Sequence, residues 1–346
     1  MRMRNTLTAI AFLVIAGACG QGEAERPDSL RLIAHDSFAG SVNEETFAVF
    51  TEDTGIEVEM IAAGDAGSMV NQAALSAGNP LADVMFGVDD TFLSRALDED
   101  IFVEHRSELL DDVVAGLRPE TEMVTPIDFG DVCLNYDKAW FEQNQIAVPD
   151  NLDQFRDPAY AALLTVEHPA TSSPGLAFLF ATVETFGEEG WQQFWADLRL
   201  GGVNVVPNWD TAYYGDFTRY GGPSPIVVSY ASSPPAEVLF ASEPIEEAPT
   251  GVIEAGCYRQ VEYAGILAGT DYPESAGELI DFMLSIRFQE TIPLTWFVFP
   301  ANRDAQLPEV FAENTIIPGQ PTRFTAETIA ERRDAWIDEW VAIMEG

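Results

Sequence analysis

The apolar positions of this chain fall into short blocks whose spacing alternates between strand and helix. Leu30 to His35 is an apolar run of strand length, and Val42 to Thr54 follows with Phe47 and Phe50 three apart, as on the buried face of a helix. Glu57 to Ala62 alternates, Ser68 to Ala77 returns to helical spacing, and Asp83 to Val88 is a continuous apolar run of the kind buried in a parallel or mixed sheet. This βαβαβ order predicts an α/β architecture, in which ligands bind in crevices beyond the carboxyl ends of the strands. The loops after the three strands, His35–Phe38, Gly64–Ser68 and Gly87–Asp90, are therefore the first places to look for function.

A second α/β unit starts near Asp128. Its predicted strands are Val132–Tyr136, Leu163–Glu167, Val203–Pro207 and Ile226–Tyr230, with helices at Leu176–Phe186 and Gly190–Leu198. Tyr258–Leu267 is too long and too apolar for a loop and reads as a strand crossing back to the first sheet. Pro273–Phe288 reads as a helix with Pro273 at its first position. Thr325–Met344 closes the chain as an amphipathic helix, with Ile329, Trp336, Trp340 and Met344 on or near one stripe that faces the core. No internal repeat interrupts this order.

Composition narrows the function. The chain has 346 residues, 47% of them hydrophobic, so it is long enough for about two domains and is not a disordered chain. Against 57 acidic residues stand only 17 basic ones, for a formal net charge of −40. Such a surface repels phosphate backbones and anionic headgroups, which argues against nucleic-acid and peripheral membrane partners. Arg2 and Arg4, the apolar run Leu7–Ile15 and the small residues Ala16–Ala18 form a secretory signal peptide over residues 1–18. Cys19 follows directly and is a candidate for lipidation, with simple cleavage the alternative; residues 19–29 then read as a polar tether. In an oxidising compartment Cys133 and Cys257 are candidates for one disulfide, with two buried thiols the alternative.

Enzyme signatures are missing. His35, His105 and His168 lie far apart, and no HExxH pair, G-x-S-x-G elbow, Walker A loop or G-x-G-x-x-G fingerprint occurs. The candidate residues suit binding instead. Asp36, Asp65, Asp89 and Asp90 follow predicted strands, while Trp209, Tyr213, Tyr230 and Trp296 sit in loops or at strand ends. Carboxylates beside aromatic faces suit an organic cation, each ring attracting it by about 0.5–2 kcal/mol. Taken singly, each aspartate also fits a helix cap or turn, and each tryptophan also fits the core. Thr171-Ser172-Ser173-Pro174-Gly175 opens a helix, where free backbone N–H groups and hydroxyls can seat a phosphate, carboxylate or hydroxyl, or serve as an ordinary cap. Ser229–Pro234, including Ser233, ends another strand and can face the same cleft.

In order along the chain these motifs resemble the periplasmic thiamine-binding proteins of ABC importers, within the wider class of extracellular solute-binding proteins. The resemblance rests on His35-Asp36-Ser37-Phe38, Ala82-Asp83-Val84 with Gly87 and Asp89, Thr171–Gly175, Trp209–Tyr213, Ser229-Tyr230 with Ser233-Pro234, Gln260-Val261-Glu262, Ile292-Pro293 with Trp296 and Pro300, and Arg333–Ile337 with Glu339-Trp340. It implies a two-lobed, periplasmic-binding-protein-like (type II) fold, with two mixed sheets flanked by helices and a hinged cleft between lobes. Lobe 1 would comprise residues 30–126 plus 255–305, lobe 2 residues 127–254, and residues 306–346 a helical segment packed on both. Hinges would lie near Thr125–Gly130 and Gly251–Tyr258. The implied function is capture of thiamine or its phosphates and delivery to an ABC permease, by a monomer without a cofactor. Trp209, Tyr230 and Trp296 would hold the rings, Asp65 the cationic or amino end, and Ser172 and Ser173 the hydroxyl or phosphate end. His35 stands where relatives place Tyr, and Ala236 where some have a cleft Tyr. Tyr213-Tyr214 also fits ferric-ion-binding relatives of the same fold, whose phenolates ligate iron, and the acid-plus-aromatic set also fits a polyamine.

Overall fold

A computed structural model describes residues 26–346; the signal peptide, Cys19 and most of the tether lie outside the described residues. The strands are β1 (Ser29–Ala34), β2 (Glu57–Ala62), β3 (Val84–Asp89), β4 (Phe102–Val103), β5 (Thr125–Asp137), β6 (Leu164–Glu167), β7 (Asn204–Val206), β8 (Ile226–Tyr230), β9 (Thr250–Leu267) and β10 (Phe299–Pro300). They are hydrogen-bonded in the order β2-β1-β3-β9-β5-β8-β6-β7, with β4 on β9 and β10 on β5. The outer strands pair in parallel, β1 with β2 and β3, and β6 with β7 and β8. All pairs made by β5 and β9 are antiparallel.

The two mixed sheets expected from the sequence are thus halves of one ladder joined through β5 and β9. In lobe 1, Val84–Asp89 pairs with Glu262–Ile266. In lobe 2, Val132–Tyr136 pairs with Ile226–Tyr230 on one side and with the first part of β9 on the other. The crossing between lobes therefore lies at Asp128–Val132 opposite Tyr258–Glu262. The segment Gly251–Tyr258, expected as a hinge, sits in lobe 2, where Gly251 opposes Tyr136. At the crossing, Arg259 grips Asp131 with two hydrogen bonds of 2.6 and 2.9 Å and stacks over Phe129. Such a bidentate pair gives geometric specificity as well as energy.

Strand periodicity sorts the core. In β1, Leu30, Leu32 and Ala34 join Phe38, Phe50, Phe86, Ile280 and Phe288 on one face, while Ile33 joins the core on the other. Residues 173–183 of the helix Ser173–Phe186 are all buried, which is why this segment shows apolar character all round. The helix predicted over Pro273–Phe288 is broken at Ser285, whose extended backbone separates Pro273–Leu284 from Ile286–Gln289. The closing helix Ala326–Glu345 packs Trp340 on Trp195 of lobe 2 and places Arg333 over Phe92 of lobe 1, so it clasps both lobes. Cys133 and Cys257 are joined as a disulfide, Cα–Cα 4.4 Å, where the β5–β9 register shifts. No helix among the described residues is long and apolar enough to cross a membrane.

Candidate functional site: a cleft between the lobes

A cavity of about 470 Å³ opens where the lobes meet, within the ~300–1,000 Å³ usual for small-molecule sites. Lobe 1 contributes His35 and one face of the short helix Asp36–Ser41 that follows β1, Asp65 and Trp296 to Val298; lobe 2 contributes Ser173, Trp209, Asp210, Tyr213, Tyr214, Tyr230, Ser233 and Phe240; and Glu262 comes from the crossing. The lobes touch around it. Gly67 N–H donates to the Thr171 carbonyl at 3.0 Å, Trp209 N–H reaches Asp65 Oδ2 at 3.4 Å, and Phe240 meets Phe297 edge-on with centroids 5.7 Å apart.

Each wall is held from behind. Trp209 stacks on the buried Tyr213 at 5.0 Å and donates its indole N–H to Ser229 Oγ at 2.9 Å, and Ser229 Oγ is 2.9 Å from Ser233 Oγ. Tyr230 donates its hydroxyl to Gln260 Oε1 at 2.8 Å, lying over Gly130, where a Cβ would come within 2.7 Å of the ring. Trp296 packs edge-on against Phe38 at 4.9 Å and donates its indole N–H to Asp128 Oδ2 at 3.0 Å. These hydrogen bonds fix the ring planes before any ligand arrives, which spares ordering entropy on binding.

Four carboxylates line the same space: Asp36, Asp65, Asp210 and Glu262. Among the described lining residues there is no lysine or arginine. Burial raises Asp65 above the ordinary carboxylate range, against the pull of nearby His35. Asp210 is raised by burial and by the negative charges of Asp65 and Asp36. Burial favours the neutral forms of these acids, and a bound cation would favour their ionised forms.

His35 caps the helix Asp36–Ser41, its Nδ1 accepting the Phe38 N–H at 3.2 Å, and its Nε2 lies 3.2 Å from Glu262 Oε1. The ring lies against Gly87, whose φ of +94° and lack of a side chain are both needed: a Cβ would stand 2.2 Å from His35 Cδ2. Gly87→Ala is therefore expected to cost about 2 kcal/mol or more, through left-handed backbone strain plus the clash. Differential scanning calorimetry would read this as a lower unfolding temperature, and an unchanged one would show that the loop simply shifts.

Of the residues singled out in the sequence, Asp36, Asp65, Ser173, Trp209, Tyr213, Tyr230, Ser233 and Trp296 come together in the cavity wall. Asp89 does not. It is fully buried, accepts from Thr91 Oγ1 at 2.8 Å and Phe92 N–H at 3.3 Å, and caps the helix Asp90–Asp98. Asp90 is likewise tied inward, to the Val261 N–H and Arg323. Ser172 is buried behind the wall as the residue preceding the helix Ser173–Phe186. Tyr213 donates its hydroxyl to Glu237 Oε1 at 2.9 Å, and burial with that neighbouring carboxylate pushes its titration well above the ordinary phenol range. For Tyr213 to ligate iron through its phenolate oxygen, that hydrogen bond to Glu237 would have to be given up. Glu262, Asp210, Phe240 and Phe297 were not singled out as site residues; Glu262 and Asp210 lay within the motifs Gln260–Glu262 and Trp209–Tyr213, while nothing in the chain marked Phe240 or Phe297.

Residues 79–320 match the family described as bacterial extracellular solute-binding protein. The thiamine-binding periplasmic protein of Escherichia coli K12 is 30% identical over 319 residues, spanning 90% of this chain and 92% of that protein. Its counterpart from Salmonella typhimurium is 29% identical over 316 residues, 90% of this chain and 92% of that protein. A solved structure titled periplasmic thiamin binding protein superposes with a TM-score of 0.81 at 27% identity, covering 91% of this chain and 96% of that one. Iron-bound HitA from Pseudomonas aeruginosa, with a TM-score of 0.74 at 17% identity over 91% of this chain and 99% of its own, shares the fold. By the family match across most of its length, and by the two-lobed fold it shares with periplasmic binding proteins, this chain belongs to the bacterial extracellular solute-binding proteins.

Proposed function

We propose that this protein captures thiamine between its lobes and hands it to the membrane permease of an ABC importer. The observation that carries the reading is the cavity itself: the indole and phenol rings of Trp209, Tyr230 and Trp296 with four carboxylates, and no lysine or arginine among the described lining residues. A thiazolium ring is permanently cationic and flat, so it gains from ring faces and from carboxylates at every pH at which those acids are ionised. The likeness to relatives named for thiamine binding supports the same choice. Ser173, which starts the helix Ser173–Phe186 and lines the cavity, would meet the hydroxyl or phosphate end. Closure follows because only the closed form touches the ligand from both lobes.

The protein would work as an exported, non-catalytic monomer, anchored through a lipidated Cys19, with thiamine as cargo and no resident cofactor or nucleic-acid partner. Isothermal titration with thiamine, its mono- and diphosphate, spermidine and ferric citrate tests the binding. The expected result is one site with sub-micromolar affinity for a thiamine form and none for spermidine or iron. Heat from ferric citrate with a tyrosinate–iron colour, and none from any thiamine form, would overturn the reading.

A further inference from the structure

We propose that Glu262 is the counter-charge that makes this cleft selective for a cation, and that the protonation of His35 governs how much of that charge the cargo meets. The proposal deepens the thiamine reading and rests on it. Four carboxylates face the cavity, but they are not equally free. Asp65 Oδ1 accepts the Ala66 N–H at 2.8 Å and its Oδ2 lies 3.4 Å from the Trp209 N–H. Asp36 Oδ1 accepts the Gly64 N–H at 2.8 Å, fastening two loops of lobe 1. Both therefore have structural work that a ligand would have to share. Asp210 carries no such structural bond among the described residues, but burial and the neighbouring charges of Asp65 and Asp36 hold it toward its neutral form. Glu262 caps no helix, and its side chain meets His35 on one side and Asp128 on the other.

Its position also favours it. Glu262 lies in register between Asp89 on β3 and Asp128 on β5, so three carboxyls stand side by side across three strands at the crossing between lobes. Such a row cannot hold three full charges in a buried setting. Asp89 and Asp128 are fully buried, and burial drives both well above the ordinary carboxylate range, toward their neutral forms. Glu262 is the member of the row that lines the cavity. The aromatic walls converge on the same place: Trp296 is hydrogen-bonded to Asp128, directly across from Glu262, and Tyr230 to Gln260, two residues before it. A cationic ring on these faces sits beside Glu262.

Among the described lining residues, His35 is the one that can become a competing cation. It is faced by Glu262, Asp65 and Asp210, with Asp36 and Ser37 following it in the chain. When protonated, it neutralises Glu262 and repels a thiazolium; when neutral, it does neither. Affinity for a fixed cation therefore rises as pH climbs through the titration of His35, while affinity for a neutral isostere does not follow it.

The test compares thiamine with its neutral thiophene isostere by isothermal titration on the full-length mature protein. The wild type is expected to prefer thiamine by about tenfold to a hundredfold, the range for one charge-assisted contact. Glu262→Gln should lose most of that preference while holding the isostere about as before. His35→Asn keeps a capping side chain at this helix start and should flatten the pH dependence of thiamine binding between pH 6 and 8 relative to wild type. A Glu262→Gln variant that weakens both ligands alike, or neither, overturns the proposal. Should that variant fail to fold, equal pH slopes for wild type and His35→Asn overturn it instead. A wild type that binds neither ligand removes the thiamine reading itself, and is thereby distinct from a failure of this one.

Discussion

Trp296→Ala is expected to raise the Kd for thiamine by about 30- to 100-fold, the largest single loss in the cleft. The ring has two jobs that can be separated. One face and edge pack on Phe38, Phe86 and Phe288, with centroids 4.9, 6.2 and 5.8 Å away, and the indole N–H holds Asp128. The rest of the ring forms cavity wall. Truncation removes a cation–π partner worth about 0.5–2 kcal/mol together with apolar contact area, and tenfold in affinity is about 1.4 kcal/mol. Cavity formation would also lower stability by about 3 kcal/mol, so binding is compared at a temperature where circular dichroism shows both proteins folded. Trp296→Phe keeps an aromatic face and loses the donor, and should stay within about tenfold of wild type. If alanine binds thiamine within threefold of wild type, Trp296 is packing alone.

The second large effect is on stability. Replacing Cys133 and Cys257 together by alanine should lower the unfolding free energy by about 3–5 kcal/mol, because the bridge closes a long loop in the unfolded chain. The sequence separation is 124 residues, spanning essentially all of lobe 2. Closure entropy grows with the logarithm of loop length, so this bridge lies near the upper end of what a single disulfide supplies. Urea denaturation with and without reductant gives the difference directly. Thiamine affinity of the folded double variant at 25 °C should be nearly unchanged, since neither sulfur lines the cleft. A shift in midpoint corresponding to less than about 1 kcal/mol would show that the reduced chain retains enough structure to make the link redundant.

Much of the architecture is readable from local pattern. β1, β2 and β3 and the helices Glu44–Thr54 and Ala66–Leu75 fall close to their predicted places, because each carries a local apolar signal: a periodic buried face in β1 and the helices, alternation in the half-exposed β2, and a continuous run in the fully buried β3. The two long strands were recognised only in part. β5 starts at Thr125 and β9 at Thr250, well before the apolar runs at Val132 and Tyr258. The missed halves contain Pro126, Asp128, Gly130 and Asp131, and Gly251, Glu254 and Gly256. Those residue types ordinarily punctuate loops. Here the two aspartates are accommodated by the junction, Asp131 paired with Arg259 and Asp128 meeting Trp296 and Glu262, while Glu254 is exposed to solvent.

The site divides the same way. Residues directly after strands in an α/β order, Asp36 and Asp65 among them, were legible because strand ends make the crevice whatever the ligand. Asp89 met the same rule and failed it, since its carboxylate is used up by the first turn of the next helix. The chain by itself determined the alternation of elements, the acidic and aromatic character of the binding loops and the apolar stripe of the last helix, all of which follow from neighbours a few residues apart. Only the tertiary structure decided that Asp89, Glu262 and Asp128 form one row, that Trp296 and Tyr230 lean toward its centre, and that Phe240 and Phe297 meet across the opening. Those contacts depend on strand register and lobe closure, and register joins residues more than a hundred positions apart that carry no mark of one another in the chain.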